Sequence, residues 1–386
     1  MQYRTFGNTG CQVSALGFGC MRLPLVTPND MSSIDEAATA RLLESALEKG
    51  VNYLDTAYPY HNERSEPVIG KILEASKQRK NVYLATKMPS WAVQTRSDMV
   101  KFFEEQCQKL RTDHIDFYLL HNLNKSFWPK LYNLGVLDFL DELKREGRVR
   151  EVGFSFHDDF PVFKEIIDAY AWGFCQIQYN YMDEKLQAGT KGFEYACSKG
   201  MGVAIMEPLR GGNLAQTPPA DIQAIWDAAP VKRTPAEWAL RWLLNKAGVS
   251  IVLSGMNTQA QVDENCQVCA EHTPSSLSSA EEDCIGKVRD LFMSKIKVPC
   301  TACGYCLPCP AGVNIPAVFN IYNQYHLFHN KFWVAVMYNY VLAELNERAD
   351  ACVACGRCEQ ACPQHIAIIN ELKTCHIELE ACGKHR

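Results

Sequence analysis

Eight of the chain's eighteen cysteines fall between residues 300 and 362, in two tight runs. The first is Cys300-x2-Cys303-x2-Cys306-x2-Cys309, followed by Pro310; the second is Cys352-x2-Cys355-x2-Cys358-x3-Cys362, followed by Pro363. This spacing wraps three thiolates around one face of an iron–sulfur cube, and in two-cluster ferredoxins the fourth Cys, before Pro, reaches the other cluster. The second run matches that bacterial pattern residue for residue; the first is one residue short before its last Cys. We therefore expect Cys300, Cys303, Cys306 and Cys362 to hold one [4Fe–4S] cluster, and Cys352, Cys355, Cys358 and Cys309 a second. Paired Cys also suit tetrahedral zinc, but two four-Cys runs that each end in Cys-Pro disfavour it. Of the ten scattered cysteines, Cys20 is a candidate to line a site. The others, including Cys266, Cys269, Cys375 and Cys382, read as packing.

A second group lies upstream: Asp55 in LDTAYPY, Tyr60 five residues later, Lys87 in LATKMP and His121 in DFYLLHN. Singly, each has a plain reading as a helix cap, a solvated charge or a structural histidine. What unites them is position, since Asp55, Lys87 and His121 each end an apolar run. Such runs recur at 16–19, 51–55, 82–86, 115–120, 149–154, 175–179, 202–206 and 249–254, with helical patterns such as 35–50 and 98–110 between them. Gly50, Gly147 and Gly200 close helices. Eight strand–helix units in this length predict a (β/α)8 TIM barrel, whose active site lies at the C-terminal strand ends. YRTF and QVSAL, flanking Gly7–Gly10, read as a hairpin capping the barrel floor.

Near 272 the pattern changes to a linker, and a capping box from Ser279 to Glu282 starts a helix. We expect domains at 1–295 and 296–386. The stretch between the cysteine runs contains IPAVFNIYNQYHLF and WVAVMYNYVLAELNE, both amphipathic and helical in pattern, which resembles an α-helical ferredoxin-like module.

Residues 1–270 resemble the aldo/keto reductase family, through GFGCMRLP, LDTAYPYHNERSE, ATK, LLHN, GFS, QIQYN, EPLRGG and SGMNTQAQVDEN. The resemblance implies a catalytic tetrad of Asp55, Tyr60, Lys87 and His121, reducing a carbonyl or oxidising an alcohol with a nicotinamide cofactor. On that reading Lys87 lowers the pKa of Tyr60, whose reference value is ~10. Asp55 holds Lys87, and His121 orients the substrate carbonyl. The resemblance also assigns Ser155 and Gln176 to the nicotinamide carboxamide, Glu264 and Asn265 to the adenine end, and the Leu209-Arg210-Gly211-Gly212 loop to the pyrophosphate. Three departures stand out. Phe156 replaces the usual Asn beside Ser155. Met206 replaces a stacking Tyr. Gly255 and Gln261 replace the Lys and Arg of NADP-preferring members, which favours NAD(H) over NADP(H) unless Arg22 compensates.

The chain has 386 residues, is 47% hydrophobic and 22% charged, and carries a net charge of −5. That balance excludes a strongly basic nucleic-acid binder. No signal peptide or membrane span is evident, and cysteine-rich metal chemistry suits a cytoplasmic setting. Hydride moves electrons in pairs and iron–sulfur clusters move them singly. A barrel coupled to clusters therefore invites a two-step carrier such as flavin, or a redox partner protein. The alternatives are an electron-transfer or redox-sensing protein with the barrel as scaffold, and a reductase with purely structural clusters. Trp91, Phe127 and Trp128 are candidates to wall a substrate pocket.

Overall fold

The computed structural model describes residues 1–27, 30–328 and 331–382. The chain forms two compact units, Met1–Leu209 with Ala236–Leu277, and Arg210–Pro235 with Ser278–Arg386. The units thus cut the chain elsewhere than at 295. The physical reason lies in the helix Ser279–Lys295, which is tied to the 210–235 segment. Cys284 Sγ donates to the Ile225 carbonyl at 3.5 Å, Lys295 pairs with Asp221 at 2.7 Å, and Glu281 pairs with Arg233. The cap of this helix is Ser278 with Glu281, one residue before the expected pair. The sequence SSAEE offers both registers, and the structure takes the earlier one. The last four residues of the expected second domain lie outside the described residues.

The first unit opens with an antiparallel hairpin of β1 (Tyr3–Thr5) and β2 (Gln12–Ser14). Eight parallel strands then close a barrel: β3 (Leu16–Gly19), β4 (Tyr53–Asp55), β5 (Tyr83–Met88), β6 (Ile115–Leu123), β7 (Val149–Phe156), β8 (Phe174–Gln178), β9 (Gly202–Met206) and β10 (Ile251–Ser254). β10 pairs back onto β3, so the barrel has no open edge.

Side-chain alternation sorts the strands into two cores. Leu54, Leu84, Tyr118, Leu120, Phe154, Phe156, Cys175 and Ile177 face the helix layer. Tyr53, Ala85, Phe117, Leu119 and Phe174 belong to a separate inner core. Phe6, from the hairpin connection, plugs that core with its ring 5.0 Å from Phe117 and 5.0 Å from Phe174. Gly202 makes room for it, because a Cβ there would lie 2.3 Å from the Phe6 ring. By the same alternation Asp55, Lys87, Ser155 and Gln176 point inward at the opposite end.

In the second unit, helices Ile315–Phe328 and Ile368–Ala381 and a helical stretch from Lys331 to Glu344 enclose an apolar core. Val318, Phe319, Tyr338, Leu372 and Cys375 are fully buried in it. Among the described residues no helix is long and apolar enough to cross a membrane.

Candidate active site

Lys87 leaves β5 with its ammonium fully committed. Nζ donates to Asp55 Oδ1 at 2.7 Å, to the Thr56 carbonyl at 2.8 Å and to Tyr60 Oη at 3.3 Å. Three donors meet three acceptors, which fixes the head group of an otherwise flexible side chain. The pair is deeply buried, with Lys87 and Asp55 side chains 1% and 4% exposed. Burial raises the Asp55 carboxyl, while the Lys87 ammonium and the Gln176 amide oppose that rise. Tyr60 is half-buried, its ring 6.1 Å from that of His121 at 81°. The four residues singled out in the sequence therefore meet at one point.

The electrostatics differ from expectation in one respect. Burial, and after it the charge of Asp55, push the Tyr60 phenol well above its ordinary value. Lys87 does not lower it on balance, because its charge is already neutralised by Asp55 at shorter range. Burial also drives His121 well below the usual imidazole value, with Lys87 and His157 adding to the effect. His157 falls to about 4 by burial, partly offset by its hydrogen bond to Gln187. Both imidazoles are neutral near pH 7.

Behind Lys87 lies a buried network that the sequence did not reveal. Gln106 Nε2 donates to the Lys87 carbonyl at 3.0 Å and to Glu66 Oε1 at 2.7 Å. Thr86 Oγ1 also donates to Glu66, and Tyr118 Oη donates to Gln106 Oε1. These bonds clamp the end of β5 to two helices. Burial raises the Glu66 carboxyl. No local pattern signals such a network, since Glu66 and Gln106 lie forty residues apart.

Other candidates separate by environment. The Trp91 ring lies 5.2 Å from His121, so Trp91 walls the site. Trp128 is 3% exposed and packs on Tyr132 and Trp172, which places it in the core, while Phe127 is half-buried against the outer core. Cys20 is buried near Asp55 and Lys87, and burial raises its thiol. Ser155 Oγ accepts from the Asn122 backbone at 2.8 Å. Phe156 faces the helix layer, its ring 4.9 Å from Phe163. Met206 ends β9, partly exposed. Gln261 is committed to the capping box of helix Gln259–Glu271, and Asn265 is buried, donating to Ser254 Oγ at 3.0 Å. Glu264 is half-buried on the same helix. The Arg22 side chain crosses Gly255, its Cβ 3.2 Å from where a Gly255 side chain would begin. Leu209 closes the first segment of the barrel unit, while Arg210, Gly211 and Gly212 follow with left-handed backbones at φ 49°, 68° and 96°.

In the second unit Cys300, Cys303, Cys306 and Cys362 line one cavity, walled by Ile315, Phe319 and Ile366. Burial and then the three other thiols push the Cys306 thiol up. This donor set fits a thiolate-held cluster. The two runs fold alike. Ala302 and Ala354 have left-handed φ of 56° and 55°, and each donates its N–H to the Sγ two residues back at 3.4 Å. Gly304 and Gly356 follow at φ 80° and 77°. Cys309, Cys352 and Cys358 pack against the same apolar core, and Cys355 is exposed.

The sequence profile of the aldo/keto reductase family matches residues 15–282, and that of a 4Fe-4S dicluster domain matches 299–367. L-galactose dehydrogenase of Arabidopsis thaliana is 28% identical over 289 residues, which span 70% of this chain and 89% of that protein. Among solved structures, aldo-keto reductase AKR11C1 from Bacillus halodurans (holo form) superposes with TM-score 0.63 at 28% identity, covering 75% of this chain and 96% of that one. An aldo-keto reductase from Klebsiella pneumoniae in complex with NADPH shares the fold, with TM-score 0.60 at 20% identity over 75% of this chain and 96% of that one.

Proposed function

Because the chain belongs to the aldo/keto reductase family, we propose that its barrel mouth interconverts a carbonyl and an alcohol through Asp55, Tyr60, Lys87 and His121. It is an oxidoreductase of this family with a 4Fe-4S domain. The observation that carries the proposal is the single ammonium of Lys87, bonded at once to the Asp55 carboxylate and the Tyr60 phenol. A packing role alone would need no such arrangement.

When bound, a nicotinamide exchanges a hydride with the substrate carbon, and a [4Fe–4S] cluster carries one electron at a time. The chain's own residues manage the proton and the geometry. Tyr60, its phenol held protonated, donates its proton to the nascent alkoxide in reduction and regains it in oxidation. Lys87 fixes that hydroxyl in place, and Asp55 fixes Lys87. His121, neutral, donates an N–H to the carbonyl oxygen and so polarises it. Trp91 packs beside the imidazole, its ring tilted at 57°. Proton transfer by a positioned group contributes roughly 10²–10⁴ in rate.

Ser155 and Gln176 would hold the nicotinamide carboxamide. The buried Gln176 Oε1, without a partner among the described residues, fits a ligand that donates there. The assignments of Leu209–Gly212 to the pyrophosphate, and of Glu264 and Asn265 to the adenine, rest on the resemblance. We read NAD(H) as favoured, supported by the engagement of Gln261 as a helix cap and by the lack of a side chain at Gly255.

We further propose that two [4Fe–4S] clusters exchange electrons with the barrel chemistry or with a redox partner protein. The matching turns at Ala302 and Ala354 support a second cluster like the first. A cytoplasmic setting is supported by the absence of disulfides among the described cysteines. Similarity to a protein named L-galactose dehydrogenase makes hydroxylated, sugar-like carbonyls and alcohols the first substrates to assay.

The test is anaerobic turnover with the visible spectrum recorded throughout. Tyr60→Phe is expected to abolish carbonyl reduction while leaving the iron–sulfur absorbance unchanged. Bleaching of that absorbance by NADH, lost in Cys355→Ala together with turnover, supports coupling. Full turnover by Cys355→Ala with lowered stability points instead to clusters that only brace the fold.

A further inference from the structure

Strand β6 carries one residue too many at its active-site end. Its pairing with β7 runs Leu120 to Phe154 and then Leu123 to Phe156, so three steps on β6 meet two on β7. The extra residue lies at His121–Asn122, opposite Ser155. Leu120 and Leu123 both face the helix layer, so the bulge frees two consecutive residues from that face instead of one. Bulges re-aim side chains in this way beside active sites. Asn122 takes a left-handed φ of 58°, and its N–H turns from the ladder to bond Ser155 Oγ at 2.8 Å.

The Asn122 side-chain oxygen is left over by this arrangement. It is 8% exposed, and its Oδ1 is buried without a hydrogen-bond partner among the described residues. Ser155 pairs in register with Gln176 on β8, and Gln176 Oε1 is likewise buried and unpartnered. The Gln176 amide nitrogen is turned to Asp55, which fixes the oxygen as the free end. Two unpartnered acceptors thus belong to residues that neighbour one hydroxyl, Asn122 through its N–H and Gln176 through strand register, while the Ser155 oxygen already accepts and its O–H is left to donate. Buried acceptors without donors are costly in a folded chain and mark a place where a ligand completes the set.

We propose that Asn122 is a binding residue for the primary carboxamide of a nicotinamide, in the role that Phe156, packed outward, cannot fill. The carboxamide NH2 group offers two N–H donors on one nitrogen, one each for Asn122 Oδ1 and Gln176 Oε1. Its carbonyl accepts from Ser155. A flavin edge, with a lone N–H between two carbonyls, does not match this set. The inference rests on the nicotinamide reading of the barrel mouth.

The probes are NADH and its reduced 3-acetylpyridine analogue, in which a methyl group replaces the NH2. Their dissociation constants are measured by fluorescence quenching on the anaerobic, cluster-loaded full chain. Wild type is expected to bind NADH about tenfold or more tightly than the analogue. Asn122→Gly, which tolerates the left-handed backbone, is expected to weaken NADH about tenfold and leave the analogue unchanged. Asn122→Asp, which keeps an acceptor, should retain most of the discrimination. Equal weakening of both dinucleotides, or none, overturns the proposal. So does an unchanged NADH constant with a raised KM for the carbonyl substrate, which would assign the amide to the substrate. Failure of wild type to bind either dinucleotide would instead remove the nicotinamide reading itself, and the proposal with it.

Discussion

Replacing Asp55 by Asn separates the charge of the buried pair from its shape. Asn keeps a carbonyl oxygen for Lys87 Nζ, now 2.7 Å from Asp55 Oδ1, but leaves the ammonium without a counter-charge. Breaking a pair buried to this degree costs about 3–5 kcal/mol, and the retained hydrogen bond argues for the lower end, about 3. For a barrel of this size, each kcal/mol moves Tm by about 2–4 °C, so a fall of roughly 6–12 °C is expected. The same change acts on Tyr60. The Asp55 charge is the largest cause after burial holding that phenol up, so its removal lowers the phenol pKa. Alcohol oxidation needs Tyr60 to accept a proton, hence in its deprotonated form. The ascending limb of the kcat/KM profile for oxidation, where activity is gained as Tyr60 deprotonates, should therefore move to lower pH. Differential scanning calorimetry and a pH–rate series in the oxidative direction read the two effects independently. An unchanged Tm with a limb that stays put or moves upward would refute the reasoning, since it would mean that Asp55 neither balances Lys87 nor acts on Tyr60.

Three further outcomes are expected. His157 has a folded value of about 4 against 6.5, so the unfolded chain binds more protons between these values. Stability should fall as pH drops through that window, by up to about 3 kcal/mol, and urea midpoints should show a shallower fall in His157→Gln. Phe6→Ala empties the barrel floor, where the ring meets Phe117 and Phe174. It should cost about 3–5 kcal/mol in chemical denaturation, and a loss near that of an exposed site would show the plug to be dispensable. Arg22 crosses Gly255; Arg22→Ala should weaken NADPH about tenfold and leave NADH unchanged, and equal constants for both proteins would take Arg22 out of the site.

The barrel was legible because its strands are short apolar runs with turn signals between them, and because Asp55, Lys87 and His121 end three of them in succession. β6 was not fully legible. The apolar run stops at Leu120, whereas the strand continues to Leu123 through a bulge. Asn122 lies beyond the end of that run. The network of Glu66, Thr86 and Gln106 was invisible because its members meet only after the helices dock on the sheet. Trp91 and Trp128 look alike in sequence, and only packing sends one to the site and the other to the core. The ligand grouping of Cys300, Cys303, Cys306 and Cys362 followed from spacing, and a single cavity gathers those four thiols. The expected boundary at 295 follows the change in composition where the cysteine runs begin, whereas the compact units part at Leu277 and Ser278.

The two compact units are interleaved along the chain: 210–235 belongs with 278–386, while 236–277 returns to the barrel. No single cut can separate them. A ribosome releases the first piece of the cysteine-bearing unit before the final barrel strand, β10, has been made. That piece must wait through the rest of the barrel for the helix Ser279–Lys295 that covers it. A chain stopped after the last barrel helix would not be a lean reductase. It would carry an orphaned segment whose apolar residues, Ile222 and Trp226 among them, have lost the helix that covers them. Maturation of the metal-binding half and completion of the barrel half are thus events in one synthesis, not two modules joined end to end.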